Sequence, residues 1–367
     1  MSTLAVSAAR TTRFLSREIV IPRWWSGRND VIDPLRFVVD GHGKLSKEDL
    51  QPNSWIGQEV QEKYNDVGLV HVQNTGLKDM ADQRLLARIV MGDETEYEGG
   101  ANPRGRIQGL ANAYEIGAPL SANLHYHHEM VYKSHSVLSL GFLCKEAVTL
   151  REGVGWTFVS DSVQAHDYIM QTELGRKLKD KGLCFIRRMT DARGNHPNDG
   201  SVYNHWQTSW MTEDYDEAQA RAQEQGLQVE WIHDPEQGRI MQTRYYKSAF
   251  EYVPMLDRNI MVTSIADDGE WFDNWPGIMD VPQEKRPLEM LWGDDQPFTL
   301  KEKQEWTDCY DRFGIPIRWN AGDVAMLCNM RFAHGRPGVE LLPGEERELG
   351  VLLGPMFERM ETLDNKW

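Results

Sequence analysis

Apolar residues in this chain come in short runs closed by Gly, Asn or Asp, and rarely in long periodic stretches. "DVGLVHVQNTG" (66–76) is such a run, and its Asn-Thr-Gly stop predicts a strand leaving into a loop. "SVLSLGFLCKEAV", "GWTFVSDS", "LCFIRRMT", "RIMQTRYYKSAFEYV" and "RELGVLLGPMF" predict further strands. "IPIRWNAGDVAMLCNMRFAHGRPG" predicts a strand, a Gly-Asp turn and a second strand that ends in His334. Helical spacing is confined to a few segments. "KDMADQRLLARIVMG" sets Met80, Leu85, Leu86 and Ile89 on one face and stops at Gly92. "SDSVQAHDYIMQTELGRKLKDKG" runs to Gly182, "TEDYDEAQARAQEQG" opens at Thr212 and ends at Gly226, and "TLKEKQEWTDCYDRFG" spans Thr299 to Gly314. There is no regular strand-helix alternation and no Gly-rich phosphate loop, which argues against a Rossmann-type sheet. The pattern predicts an α+β, mainly β protein: a jelly roll or similar sandwich with helical decoration. No linker interrupts it, so the expected organisation is an N-terminal extension (1–60) and one domain (61–367) with an insertion over about 204–300.

Composition narrows the function. Hydrophobic residues make up 40% and charged residues 26%, ordinary values for a folded chain of 367 residues. The net charge of −16 argues against a nucleic-acid partner, which would require a basic face. Four cysteines, none in a CxxC pair, argue against a Cys-rich zinc site or a disulfide frame and suit a reducing, cytoplasmic setting. No run of 18 apolar residues exists to span a membrane. "MSTLAVSAARTTRFLSR" has the composition of a transit peptide, but the reading adopted is a frayed N-terminus. Oligomeric state stays open, a homo-oligomer included.

The candidate chemistry lies in "NLHYHHEMVY" (123–132). On a strand, residues two apart share a face, so His125, His127 and Glu129 point one way and His128 the other. His127 and Glu129 offer one neutral nitrogen and one charged oxygen. With a remote histidine they would form a two-His, one-carboxylate facial triad that leaves coordination positions open, as non-haem Fe(II) requires. His334, at the end of an apolar run, is the expected third member. His125 with His127 is a competing pair suited to zinc or a cupin-type site. His128 reads as a supporting or solvent-facing ring, and the remaining histidines (42, 71, 135, 166, 196, 205 and 233) as structural.

At "LHYHHEM", "GWTFVSD", "HWQTSWMTEDYDEA" and "GDVAMLCNMRFAHGR" the sequence resembles the TauD/TfdA-like Fe(II)/2-oxoglutarate dioxygenases, in particular the clavaminate synthase-like branch, over roughly residues 60 to 355. The resemblance implies a double-stranded β-helix (jelly-roll) core with flanking helices and a helical lid insertion. It implies Fe(II) held by His127, Glu129 and His334, with 2-oxoglutarate and O2 as cosubstrates. It also implies that Thr157, in "GWT", and an arginine after the distal histidine bind the far carboxylate of 2-oxoglutarate. Arg347 is the first choice, since an alternating strand follows it, and Arg336 is the fallback; a guanidinium can grip both carboxylate oxygens. The link "PGVELLPGEE" departs from the family's usual Arg- and Pro-rich connection. Glu129 occupies the position that halogenases of this fold leave empty for chloride. Its presence implies hydroxylation, desaturation, ring formation or epoxidation of a small molecule, with secondary metabolism the expected setting.

For the substrate, the segment from about Asn204 to Gly226 is expected to cover the mouth of the site. Trp206, Trp210, Trp271 and Trp275 are candidates to line a pocket, with core packing the better reading for any one of them. Arg244 is a candidate anion binder. Two other classes compete: a zinc-dependent hydrolase using the histidine cluster, and a non-catalytic metal-binding jelly roll. The Thr157/Arg347 pair speaks against the hydrolase, which has no use for a 2-oxo acid site.

Overall fold

The computed structural model describes residues 32–100, 104–194, 204–235, 238–265 and 281–359. The short apolar runs form strands buried on both faces. Six of them make one sheet in the order β1 (Val38–Asp40), β2 (Leu69–Gln73), β15 (Val324–Cys328), β6 (Ser139–Glu146), β17 (Glu348–Leu353) and β3 (Ala113–Glu115). Only the β1–β2 pair is parallel. A second, four-stranded sheet runs β14 (Gly314–Ile317), β7 (Thr157–Asp161), β16 (Phe332–Arg336) and β4 (Leu124–His127). Leu140, Phe142, Leu327 and Val351 of the first sheet share one core with Tyr126, Phe158, Ile315 and Phe332 of the second, so apolar burial joins the two. A pair of short strands, β5 (His135–Val137) and β18 (Met356–Glu358), adds to this body.

A third sheet, β13 (Leu288–Trp292), β8 (Leu183–Met189), β10 (Gly238–Lys247) and β9 (Gln228–Asp234), lies over residues 183–292, and β11 (Phe250–Val253) pairs with β12 (Arg258–Met261). The insertion expected over about 204–300 is helical in its first part, as expected for about Asn204 to Gly226, and mainly strand among its described residues from Gln228 onward. Among its described residues before position 299 the α-helical segments are Trp206–Trp210 and Tyr215–Glu224. Their buried Trp206, Trp210, Ala218 and Ala222 pack on Met189, Met241 and Tyr245 of this third sheet. The expected extension also differs. From Pro34 onward it belongs to the main body, since β1 extends the six-stranded sheet and the helix Trp55–Val67 buries Ile56 and Val60 beside Val70 and Val72.

Local chemistry accounts for most element ends. The helix Met80–Met91 starts at Asp79, whose side chain accepts from Ala81 N–H, and stops at Gly92 (φ 75°). Its buried stripe is Met80, Gln83, Leu86, Ala87 and Met91, while Leu85 is 42% exposed. Gln83 enters the core because its Nε2 donates to the Cys144 carbonyl at 2.9 Å. Thr299 and Glu302 form a reciprocal capping box on the helix Leu300–Arg312. Helix Tyr215–Glu224 is capped by Asp214, not by Thr212, because Asp214 accepts from the N–H groups of Asp216 and Glu217. Among the described residues no helix is long and apolar enough to cross a membrane, and all four cysteines are buried and unpaired.

Candidate metal centre

The expected strand ending in His334 is two strands. β15 stops at Cys328, the chain turns through Asn329–Arg331, and His334 sits in the middle of β16. That turn carries the chain from the six-stranded to the four-stranded sheet, where β16 lies between β7 and β4. His334 is the antiparallel register partner of His127, and the next pair is Arg336 with Leu124, so one strand carries an extra residue there. The bulge re-aims the two imidazoles toward each other, with ring centroids 4.1 Å apart. Gly335 permits this approach: a Cβ there would lie 2.6 Å from the Leu124 carbonyl oxygen.

Past the end of β4 the chain delivers Glu129. Ligand atoms of His127, Glu129 and His334 all lie within 4.8 Å of one another, and all three residues are buried. These are the three residues singled out from the sequence. His127 Nδ1 is 2.9 Å from the His125 carbonyl oxygen, which can only accept, so the ring proton sits on Nδ1 and Nε2 carries the lone pair. His334 Nδ1 is buried with no hydrogen-bond partner, an orphaned nitrogen that a metal would satisfy. Burial, and then the neighbouring imidazoles, holds the His334 pKa well below the usual value, so the ring is neutral, the form that binds metal. Burial pushes the Glu129 carboxyl upward, but Arg104 and His127 outweigh that and hold it below the ordinary carboxylate range. The imidazoles of His127 and His334 with one ionised carboxylate form a donor set that suits a divalent ion with open positions.

Arg104 gave no signal in the sequence. Its Nη2 donates to both Glu129 oxygens, at 2.9 and 3.1 Å, and its guanidinium lies 4.4 Å from the Tyr97 ring centre. Burial opposes its charge, and Glu129 with the two nearby phenols raises its pKa overall. Asn329 was likewise missed. Its Oδ1 accepts the Glu129 N–H at 2.8 Å, and its Nδ2 donates to the carbonyls of Glu129 (3.1 Å) and Val137 (2.8 Å). Ser136 Oγ adds a second donor to the Glu129 carbonyl, at 2.8 Å. Met130 follows with φ 59°, a left-handed turn that this grip holds.

His128, the first residue past β4, turns its ring to Thr263 and Ser162 and not into the cluster. It is not solvent-facing: it is buried, with Nδ1 2.9 Å from the Thr263 carbonyl and Nε2 3.0 Å from Ser162 Oγ. Burial pushes its pKa down to about 3. His128→Ala is therefore expected to lower the melting temperature, at a cost of about 1–3 kcal/mol for stranding buried partners. Co(II) affinity measured by calorimetry should stay within a few-fold of the parent. A loss equal to that of His127→Ala would put the register off by one.

The cavity beside the cluster is lined by Thr157, Phe142 and Val351 on one side and by Tyr97, Tyr132 and Arg187 on another. Thr157 Oγ1 accepts from Trp319 Nε1 at 3.0 Å. Arg336 also borders the cavity, but Nη1 and Nη2 donate to the carbonyls of Ala118, Pro119, Leu120, Ala122 and Pro337, which ties down the 118–122 loop. Arg347 lies outside the described lining. Its Nε donates to the Gly155 carbonyl at 2.8 Å, and its Nη2 is buried without a hydrogen-bond partner. Burial lowers both arginines, Arg336 to about 9 with help from Arg347, and Arg347 to about 10. None of the described residues of 204–226 lines the cavity; Trp206 and Trp210 are core. Arg244 pairs with Asp295 at 3.1 Å, away from this site. Trp271 and Trp275 lie outside the described residues.

A mainly-sheet body with a buried His, Glu, His cluster between two of its strands defines a candidate mononuclear metal protein. No family model matches the chain. A clavaminate synthase-like protein of Arabidopsis thaliana is 23% identical over 245 residues, covering 66% of this chain and 69% of that protein. Among solved structures, a taurine dioxygenase from Burkholderia xenovorans aligns with TM-score 0.45 at 12% identity, covering 89% of this chain and 90% of that one. AAD-2 in complex with Mn(II) and N-oxalylglycine aligns with TM-score 0.43 at 11% identity, covering 89% and 96%. In sequence the chain thus resembles a clavaminate synthase-like protein.

Proposed function

We propose that the protein is a non-haem Fe(II)/2-oxoglutarate-dependent oxygenase with a double-stranded β-helix core, oxidising a C–H bond of a small molecule and releasing succinate and CO2. The observation that carries this reading is the convergence of His127, Glu129 and His334, from opposite ends of the chain, in one buried cluster. When bound, the ferrous ion and 2-oxoglutarate supply the oxidising power for O2 chemistry, which no side chain can provide. The protein's part is positioning and charge. His127, Glu129 and His334 would hold the ion on one face and leave its other positions open. Arg104 keeps Glu129 ionised and fixes its orientation. Phe142, Val351 and Met130 restrict water around the site.

Thr157 and Arg347 are proposed to hold the far carboxylate of 2-oxoglutarate. Arg336 has its terminal nitrogens committed to backbone, whereas Arg347 keeps a buried donor unspent and loses charge stability to desolvation, which an anion would restore. Glu129 favours hydroxylation, desaturation, ring formation or epoxidation over halogenation.

The test is succinate formation by protein purified under nitrogen, given Fe(II) and 2-oxoglutarate and then exposed to O2. Activity supported by zinc and not by iron would replace this reading with the hydrolase. Arg347→Gln is expected to raise the KM for 2-oxoglutarate about 10–100-fold, since a charge-assisted contact contributes roughly 1.5–3 kcal/mol. An unchanged KM would remove Arg347 from the site. A substrate screen by mass spectrometry, scoring gain of one oxygen or loss of two hydrogens, identifies the reaction.

A further inference from the structure

Two strand registers place Thr157. On β7 it pairs with Ile317 of β14, and two residues on, Val159 pairs with His334 of β16. Residues two apart on a strand share a face, so Thr157 stands on the same side of the sheet as the His334 ring, and both line the cavity. Its Oγ1 accepts from the Trp319 indole Nε1–H at 3.0 Å, inside the core. An indole N–H can only donate, so this contact fills an acceptor site of Oγ1 and cannot take the hydroxyl's own hydrogen. That hydrogen meets no acceptor among the described residues, and the open space that Thr157 borders is the cavity. Trp319 is itself tightly held. It is 4% exposed, with the His71 ring edge-on at 5.4 Å and the Phe142 ring at 6.3 Å. Gln73 Nε2 donates to His71 Nδ1 at 3.1 Å, which leaves the His71 N–H on Nε2, 3.4 Å from Asp323 Oδ2. Asp323 also accepts the N–H of Asn320, the residue after Trp319, at 2.9 Å. Ring and backbone of Trp319 are thus both fixed, from β2 and from the turn before β15.

We propose that Trp319 is a positioning residue for 2-oxoglutarate: by donating to Thr157 Oγ1 it commits the Thr157 hydroxyl to donate into the cavity, toward the far carboxylate. The inference rests on the cosubstrate role proposed for Thr157. Trp319 is not among the described lining residues, so it acts only through that hydroxyl. A threonine hydroxyl with no fixed partner rotates, and can turn a lone pair toward the ligand as readily as its hydrogen. A lone pair repels a carboxylate, which can only accept. With the indole in place the donor is aimed before the anion arrives, and less ordering is left to do on binding. The donated N–H also polarises the O–H beyond it, which strengthens the hydrogen bond that the hydroxyl gives.

The test uses full-chain protein loaded with Co(II) and titrated by calorimetry with 2-oxoglutarate and with 2-oxovalerate, which keeps the 2-oxo acid and carries a methyl group in place of the far carboxylate. Thr157→Val is expected to weaken 2-oxoglutarate binding about 10-fold, as loss of a hydrogen bond to a charged group implies. Trp319→Phe should weaken it about 3–10-fold, the size of one neutral hydrogen bond. Affinities for 2-oxovalerate and Co(II) should stay within about two-fold of the parent, since neither involves the aimed hydroxyl. In the Thr157→Val background Trp319→Phe should add nothing further, because the two side chains act as one unit. Trp319→benzothienylalanine keeps the bicyclic ring and replaces only the N–H by sulfur, so the outcome does not depend on whether the phenylalanine variant folds. Parent-like 2-oxoglutarate affinity in the benzothienylalanine variant, equal weakening of both ligands, or losses that add to those of Thr157→Val would overturn the positioning role and leave the cosubstrate reading standing. Unaltered 2-oxoglutarate affinity in Thr157→Val removes Thr157 from the cosubstrate site and the inference with it. Absence of 2-oxoglutarate binding by the Co(II)-loaded parent sinks the oxygenase reading itself.

Discussion

Glu129→Ala is expected to abolish succinate formation, by at least about 1000-fold, because a metal site contributes several kcal/mol of transition-state stabilisation and this variant loses the ionised member of its donor set. The structure adds a second consequence. Arg104 is mostly buried and its ion-pair partner is Glu129, at 2.9 Å. Alanine would strand that cation, at a cost of about 3–5 kcal/mol when one member of a buried pair is removed. Loss of activity in Glu129→Ala alone could then reflect loss of folding. Glu129→Gln keeps the shape and a hydrogen-bonding oxygen but removes the charge, and Arg104→Ala/Glu129→Ala removes both charges. Circular dichroism and the melting temperature identify a folded variant, and Co(II) calorimetry then reads the ligand role. Full activity in any folded Glu129 variant would contradict the assignment.

Asn329→Ala is expected to weaken metal binding about 10–100-fold, the size typical of losing a group that orients a ligand. It touches no candidate ligand atom. Its amide holds both the N–H and the carbonyl of Glu129 and fastens them to Val137. Removing it leaves the buried Glu129 N–H without its acceptor, at about 1–3 kcal/mol before relaxation, and takes one donor from the carbonyls of Val137 and Glu129, the latter keeping Ser136 Oγ. Calorimetric Co(II) affinity together with the melting temperature tests this. A variant that loses stability but keeps the parent's affinity would reduce Asn329 to a scaffold residue. Asn329→Asp is the conservative control, retaining the acceptor toward Glu129 N–H and losing the donors.

The candidate triad was legible because its cues are local: a His-x-Glu at a strand end, although Glu129 lies past β4 and not within its alternation, and a histidine that follows an apolar run and precedes a Gly. Helix ends were legible for the same reason at Gly92 and Thr299. The misreadings have local causes as well. Thr212 resembles a cap, but Asp214 stands nearer the helix and reaches two amides. "VAMLCNMRFAHG" is apolar on both sides of Asn329–Arg331, and periodicity could not show that the chain turns there into two strands on different sheets. Arg104, Arg187 and Tyr132 meet only through long-range folding, and no spacing in the sequence encodes their proximity. In the span after Asn204 the polar helices and the strand at 239–253 were legible, whereas β13 was not, since its partner is β8, about a hundred residues earlier in the chain.

The cross-strand position of His127 and His334 has a further consequence. β4 is four residues long and comes last in its sheet, with β16 on one side; on the other, Ile265 N–H donates to the Tyr126 carbonyl at 3.0 Å and His127 bridges to Ser264. An ion held by the two histidines would rivet this short strand to β16, so chelation would slacken that seam along with the chemistry.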